Sequence, residues 1–388
     1  MSDRWSDSTL DALRQLGDPV ADAAVRALLE KNETAVAAKI FHEMRVNDDI
    51  HPATLVPELY EFFEETKALP FDVDMARIAR AETVFNEHMF LASLVLLTKS
   101  LPEGYQAPNL AIVLNMSGLL RTKTFKRLLG TLELVINVTK GGAFLPGGRA
   151  VITAQKLRLL HAGVRHMAGT YSPTYGARYG VPINQEDLIG TILGFSWLVI
   201  DGLRTLGAGW TAQEEEDYLY LWCVYGCMMG MHPEGEAPDM KWLPSNVEEA
   251  AELYAAYGRR HYTDASVNPE GMALAAANLQ MLEAMVPPLL SALGLDALPA
   301  VYMRELMGAE ACDRLGLDTA GHPLLSFFVE HLRTIVGPLD FLEEKAHHLF
   351  AERLFQDMIN RDLGGEVTFS IPASIVDLQS MIPGSPAA

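Results

Sequence analysis

Cysteine is scarce: Cys223, Cys227 and Cys312 are the three thiols in 388 residues. Their number is odd and no CxxC pair exists. That excludes a disulfide framework and points to a reduced compartment. Basic residues are also scarce. Lys and Arg total 30 against 50 Asp and Glu, a net charge of −20. Nucleic acid and anionic membrane are poor partners for so acidic a surface, because both need basic patches. The longest apolar runs, Leu188 to Ile200 and Leu219 to Met231, fall short of the roughly 20 residues that span a bilayer. They read as buried core helices. The opening Met1-Ser2-Asp3-Arg4-Trp5 has neither the basic start of a secretory signal nor the acid-free character of a transit peptide. A cytoplasmic location is expected. No GxGxxG follows a strand, and GxxxxGK[ST], HExxH and GxSxG are missing. ExxH occurs once, at Glu344 and His347, where a di-iron carboxylate bundle needs two.

What remains is a strongly helical chain. With 49% hydrophobic and 21% charged residues it can bury a large core. Apolar residues recur at three- and four-residue steps over Leu10–Lys31, Met75–Leu97, Val151–Met167, Val247–Tyr257, Gly271–Met285 and Leu324–Ile335. Strand-like alternation is confined to Glu366–Ile371. Pro and Gly cluster at Leu101–Pro108, Gly141–Arg149, Tyr171–Pro182, His232–Pro238 and Pro383–Ala388, which predicts loops or tails. Neither a linker nor a repeat divides the chain. The pattern predicts one all-α domain over 1–383, with its core at about 75–340 and a disordered tail over 384–388. Asn184 is placed to cap a helix whose first turn carries Glu186 and Asp187.

One segment carries chemistry. In Arg158-Leu-Leu-His161-Ala-Gly-Val-Arg165-His166, Arg158, His161 and Arg165 share one helical face, with Leu157, Leu160 and Val164 as an apolar stripe beside it. Two neighbouring guanidiniums disfavour a proton on the imidazole. A neutral imidazole is what an iron ligand requires. The arginines suit two ligand carboxylates. The same pattern also fits a structural histidine held in an ion-pair network.

Ordered motifs extend beyond that segment: Gly17-Asp18-Pro19, Ser100-Leu101-Pro102-Glu103 with Tyr105, Pro146-Gly147-Gly148-Arg149, Arg158-x-x-His161-x-x-x-Arg165-His166, Pro182 to Leu188 with Thr191 and Phe195, then Trp222, Gly226, Gly230 and Leu243-Pro244. In their order and spacing, over roughly residues 15 to 340, they resemble the DUF2236 family of latex-clearing (rubber oxygenase) and mpaB-type oxygenases.

The resemblance implies a globin-like, all-α core holding one non-covalent haem b, with O2 as co-substrate. By residue-for-residue correspondence His161 is the proximal iron ligand. Arg158, Arg165 and His166 stand beside it, and Thr191 and Phe195 complete the cofactor-binding set. The latex-clearing members carry a distal R-x-x-K-T. Arg127 and Thr131 match it here, but Gly130 replaces the lysine. Glu103 and Glu133 are the candidates for the family's catalytic glutamate. A distal side without lysine suits direct binding of O2 or peroxide. The expected function is oxidation of a small hydrophobic substrate, isoprenoid or polyketide-like, including oxidative C=C cleavage. Haem peroxidase, peroxygenase or dehydrogenase chemistry, a non-catalytic haem binder and a non-haem di-iron protein are the competing readings.

Overall fold

The computed structural model describes residues 3–31, 55–116, 119–171, 173–207, 209–232, 239–286 and 296–317. Leu324–Ile335, the Glu344/His347 pair, the Glu366–Ile371 candidate strand and the tail lie outside them, as does the side chain of Arg127. Among the described residues every regular element is helical, as the sequence predicts.

Local chemistry sets the helix starts. Ser6 caps α1 (Asp7–Leu13) and Asp18 caps α2 (Pro19–Glu30), where Pro19 takes the first-turn position that needs no N–H. The chain therefore breaks between Arg14 and Asp18, inside the stretch that periodicity alone treats as one helix. α3 is Pro57–Thr66. Asp74 caps α4 (Met75–Glu87), and α5 (Met89–Val95) runs into a π-helical turn, Leu96–Ser100. Two expected loops are partly helical. Leu101–Gly104 forms the short α6, followed by α7 (Pro108–Met116) and α8 (Leu119–Thr139). Pro173–Tyr179 forms α10, after the long α9 (Arg149–Tyr171). In each case a proline opens a helix instead of breaking one.

Asn184 accepts from the Asp187 N–H and caps α11 (Gln185–Phe195), as predicted. Ser196 interrupts the apolar run. Its Oγ donates to Ile192 O at 2.7 Å, and α12 (Trp197–Leu206) starts afresh. An 18-residue window within Gln185–Leu206 is apolar enough to cross a membrane, with a mean hydropathy of 1.3, yet two-thirds of it is buried within the fold. The break and the burial make it a pair of core helices. Thr211 and Glu214 form a capping box on α13 (Ala212–Met228). Asn246 caps α14 (Val247–His261), and Asn268 caps α15 (Pro269–Ala284). α16 (Leu298–Met307) and α17 (Ala309–Arg314) follow.

α13 is the central element. It packs along α4, where Phe85 stacks on Tyr218 with ring centroids 5.9 Å apart. Trp222, Tyr225 and Leu221 are buried on it. Each such side chain contributes roughly 1.5–3 kcal/mol by leaving water. A second apolar cluster joins α2, α3 and α9 through Ala24, Leu28, Phe62, Ile152, Leu159 and Ala162. α9 is thus held between the N-terminal helices on one flank and α8 and α13 elsewhere.

Candidate functional site

α9 begins at the Gly148-Arg149 junction. Gly148 is required there, since a Cβ would lie 2.1 Å from Ala143 O. Along α9, Arg158, Leu159, Ala162 and Arg165 are buried, whereas Leu157, Leu160, His161 and Val164 are half-buried. The sequence stripe is therefore an incompletely covered apolar face with an imidazole at its edge. His166 is exposed. Five residues past His161 it points about 140° away around the helix, so the structure does not bring it to the same face.

The two arginines are already paired. Arg158 makes a bidentate bridge to Asp18, Nε to Oδ2 at 2.7 Å and Nη2 to Oδ1 at 2.8 Å. Its guanidinium lies over Phe62, and Nη1 donates to Met228 O at 3.4 Å. Arg165 Nε donates to Asp22 Oδ1 at 2.8 Å, and Nη1 to Ile183 O at 3.4 Å. The carboxylates that sequence reasoning assigned to a ligand come from α2. Burial alone would raise Asp18, but the Arg158 hydrogen bonds and charge, helped by Arg165, outweigh it and hold the carboxyl below its ordinary range. For Asp22 burial prevails over Arg165, and its pKa is raised. Arg165 Nη2 is buried with no hydrogen-bond acceptor among the described residues.

Thr191 is exposed between the buried Gly190 and Ile192, and donates Oγ1–H to Asp187 O at 2.8 Å. Phe195 is stacked on Trp222 at 5.0 Å in the core. Phe195 is buried there. Thr131 is half-buried and Gly130 buried on α8, which packs against α9. Glu103 is committed elsewhere: Oε1 accepts from Lys99 Nζ at 2.7 Å and Oε2 from Tyr254 OH at 2.6 Å. These contacts tie it to Lys99 and Tyr254. Glu133 is buried on α8.

A second buried network went unread in the sequence. Glu186 accepts from Arg14 at 3.1 Å and Arg260 at 2.8 Å, with His261 Nε2 2.9 Å away. Asp187 accepts from Asn109 at 2.5 Å and Asn184 at 2.9 Å. Full burial pushes Asp187 up to about 6 despite Arg14. Asp18 had a visible signal in Gly17-Asp18-Pro19, a cap followed by proline. Nothing local marks its partner, 140 residues away.

His161 places an imidazole on an apolar, half-buried face, one helical turn before the buried Arg165. An imidazole and a guanidinium are the residue types that would hold a haem iron and one of its carboxylates. Among the described residues no cluster of three or more His, Cys, Asp or Glu could hold a metal ion by itself.

Residues 85–336 match the catalytic domain of the ER-bound oxygenase mpaB/B'/rubber oxygenase. The rubber oxygenase of Streptomyces sp. (strain K30) is 26% identical over 317 residues, covering 79% of this chain and 72% of that protein. A latex clearing protein solved in the closed state superposes with a TM-score of 0.69 at 20% identity, over 95% of this chain and 89% of the other. The chain belongs to the mpaB/rubber oxygenase catalytic-domain family and is an oxidoreductase of the oxygenase kind.

Proposed function

We propose that the protein is a haem b-dependent oxygenase that uses O2 on a small hydrophobic substrate, isoprenoid or polyketide-like, with oxidative cleavage of a C=C bond as its reaction. The observation that carries this reading is the half-buried His161 on the Leu157–Leu160–Val164 face, one turn from each of two aspartate-bound arginines. Bound there, haem b supplies an iron that activates O2. The chain's own residues do the rest. His161 would hold the iron through a ring nitrogen. Leu157, Leu160 and Val164 wall the site and exclude water, which favours apolar substrates. Arg165 Nη2 is a buried donor available to a carboxylate of the bound group. The family relation supports an oxygenase acting on a polyisoprene-like compound. A soluble terpenoid alkene is the first substrate to try.

A second reading, peroxidase or peroxygenase chemistry, is favoured by one observation. Gly130 is buried where the latex-clearing pattern has a lysine. Turnover with H2O2 and none with O2 would select it.

The test is the absorption spectrum of purified protein, oxidised and dithionite-reduced, beside His161→Ala. A Soret band that shifts or disappears in the variant, with O2-dependent loss of the alkene in the wild type, is the expected result. A featureless spectrum after haem supplementation during expression overturns the reading.

A further inference from the structure

We infer that Asp18 and Asp22 are positioning residues for His161: two arginine–aspartate clamps, one turn before and one turn after the histidine, fix the rotation and height of α9 at that point. The functional consequence rests on the haem reading above, whereas the geometry does not.

Arg158 is three residues before His161 and Arg165 four after, about 4.5 Å and 6 Å along the helix axis. Both are buried; Arg158 is caught by Asp18, the cap residue of α2, and Arg165 by Asp22 in its first turn. The apolar contact between α2 and α9 is non-directional: Ala21, Ala24, Ala27 and Ala162 share it with Val25, Leu28, Ile152 and Leu159. Such a surface gives cohesion but resists sliding and rolling weakly. Charged hydrogen bonds, two from Arg158 to Asp18 and one from Arg165 to Asp22, are directional and supply what apolar contact lacks.

The carboxylates are themselves fixed. Asp18 Oδ1 also accepts the Ala21 N–H at 3.2 Å as the cap of α2. Two glycines make room for the clamps. A Cβ on Gly17 would stand 3.1 Å from Asp22 Oδ2 and 3.3 Å from Arg165 Cδ. One on Gly230 would stand 3.2 Å from Arg158 Nη2. The Gly17-Asp18-Pro19 and Gly230 motifs are thereby explained by a single device. Stability alone does not account for it, because burying an ion pair costs as much as it returns and apolar replacements are often neutral. The carboxylates also lie upstream of the matched 85–336 catalytic region. The N-terminal arm is thus part of the site.

Three variants test this. Asp18→Asn keeps the helix cap, since Asn caps as well as Asp, but removes the charge. Asp22→Asn is the milder counterpart. Asp18→Asn with Arg158→Met removes the stranded guanidinium as well. The readouts are haem affinity and the ferric and ferrous–CO spectra, together with hydrogen–deuterium exchange of the 157–165 segment in haem-free protein. Both Asp18 variants are expected to weaken haem binding by about 10-fold or more, the usual effect of losing a group that orients a ligand. Their spectra shift, and exchange around His161 quickens, even where the double variant melts like the wild type. Asp22→Asn shows the same changes, smaller in size. Wild-type spectra and affinity in the double variant, or unchanged exchange in Asp18→Asn, overturn the inference. If the wild type takes up no haem, the haem reading falls by itself. Exchange of the 157–165 segment then decides the positioning role alone: faster exchange in Asp18→Asn sustains it and unchanged exchange ends it.

Discussion

Lys99 projects from a π-helical turn and places its ammonium 2.7 Å from Glu103 Oε1, deep in the fold. Leu306 O at 2.7 Å and Asp201 Oδ2 at 3.1 Å complete its shell. Burial would lower the Lys99 pKa, but the Glu103 and Asp201 charges outweigh it and raise it. Burial prevails for Glu103, which is raised despite Lys99. Tyr254 donates to Glu103 and is in short contact with Tyr262 OH. Four helices and the π turn meet at this one ion pair.

Breaking that pair leaves the buried ammonium to Asp201 and the Leu306 carbonyl alone. Glu103→Gln is expected to lose roughly 2 kcal/mol of unfolding free energy, the scale of one hydrogen bond to a charged group, read by denaturant titration. Lys99→Met with Glu103→Met recovers most of it, because neither charge is then stranded. Turnover per bound haem stays at the wild-type value in the folded fraction of Glu103→Gln. A collapse of turnover at full haem loading would restore Glu103 as a catalytic group.

Asp187 gives a pH signature of unusual sign. Its carboxyl is pushed up from 3.8 to about 6 by full burial. Between those values the folded protein holds a proton that the unfolded chain has released, so stability falls as pH rises through the window. Asp187→Asn lacks this slope. The stability of the variant relative to wild type should therefore improve by about 3 kcal/mol from pH 4 to pH 7. Asp18 behaves oppositely. Its lowered pKa contributes stability above the ordinary carboxylate range that is lost as pH falls through the folded value. Unfolding curves of wild type, Asp187→Asn and Asp18→Asn at four pH values separate the two. Parallel pH profiles for all three would refute both assignments.

Much of the fold was legible because its signals are local. Asn184 ahead of Glu186 and Asp187 is a cap with a favourable first turn, and it forms as read. The apolar run through Phe195 is a buried helix, although Ser196 splits it by bonding back to Ile192. Pro102 and Pro173 misled in a consistent way. Proline was read as a breaker where the chain uses it to begin a helix. Within the site, helical phase placed Arg158, His161 and Arg165 together, and their partners were missed for a physical reason. Asp18 and Asp22 belong to another helix, 140 and 143 residues away. No periodicity encodes which carboxylate a guanidinium finds across that distance. Motif order names Phe195 and Glu103, but it does not encode that one stacks on Trp222 and the other pairs with Lys99.

Gly230 offers the sharpest probe of how the helix end of α13 bears on Arg158. Its φ is +83°, a left-handed conformation that costs an L-residue roughly 1–2 kcal/mol. An added Cβ would also press on the guanidinium at 3.2–3.3 Å. Arg158 cannot swing aside without releasing Asp18. Gly209 provides the control. Its φ is +59°, and a Cβ there meets nothing within 4 Å. Gly209→Ala should lose only the conformational strain, on the order of 1 kcal/mol. Gly230→Ala should lose that and a further 1–2 kcal/mol of crowding, measured by thermal melting of both variants under one condition. The haem spectrum should shift in Gly230→Ala alone, because only that Cβ reaches the arginine one turn from His161. Equal stability losses with identical spectra would show that the arginine yields freely, and that the space left by Gly230 serves the turn rather than the clamp.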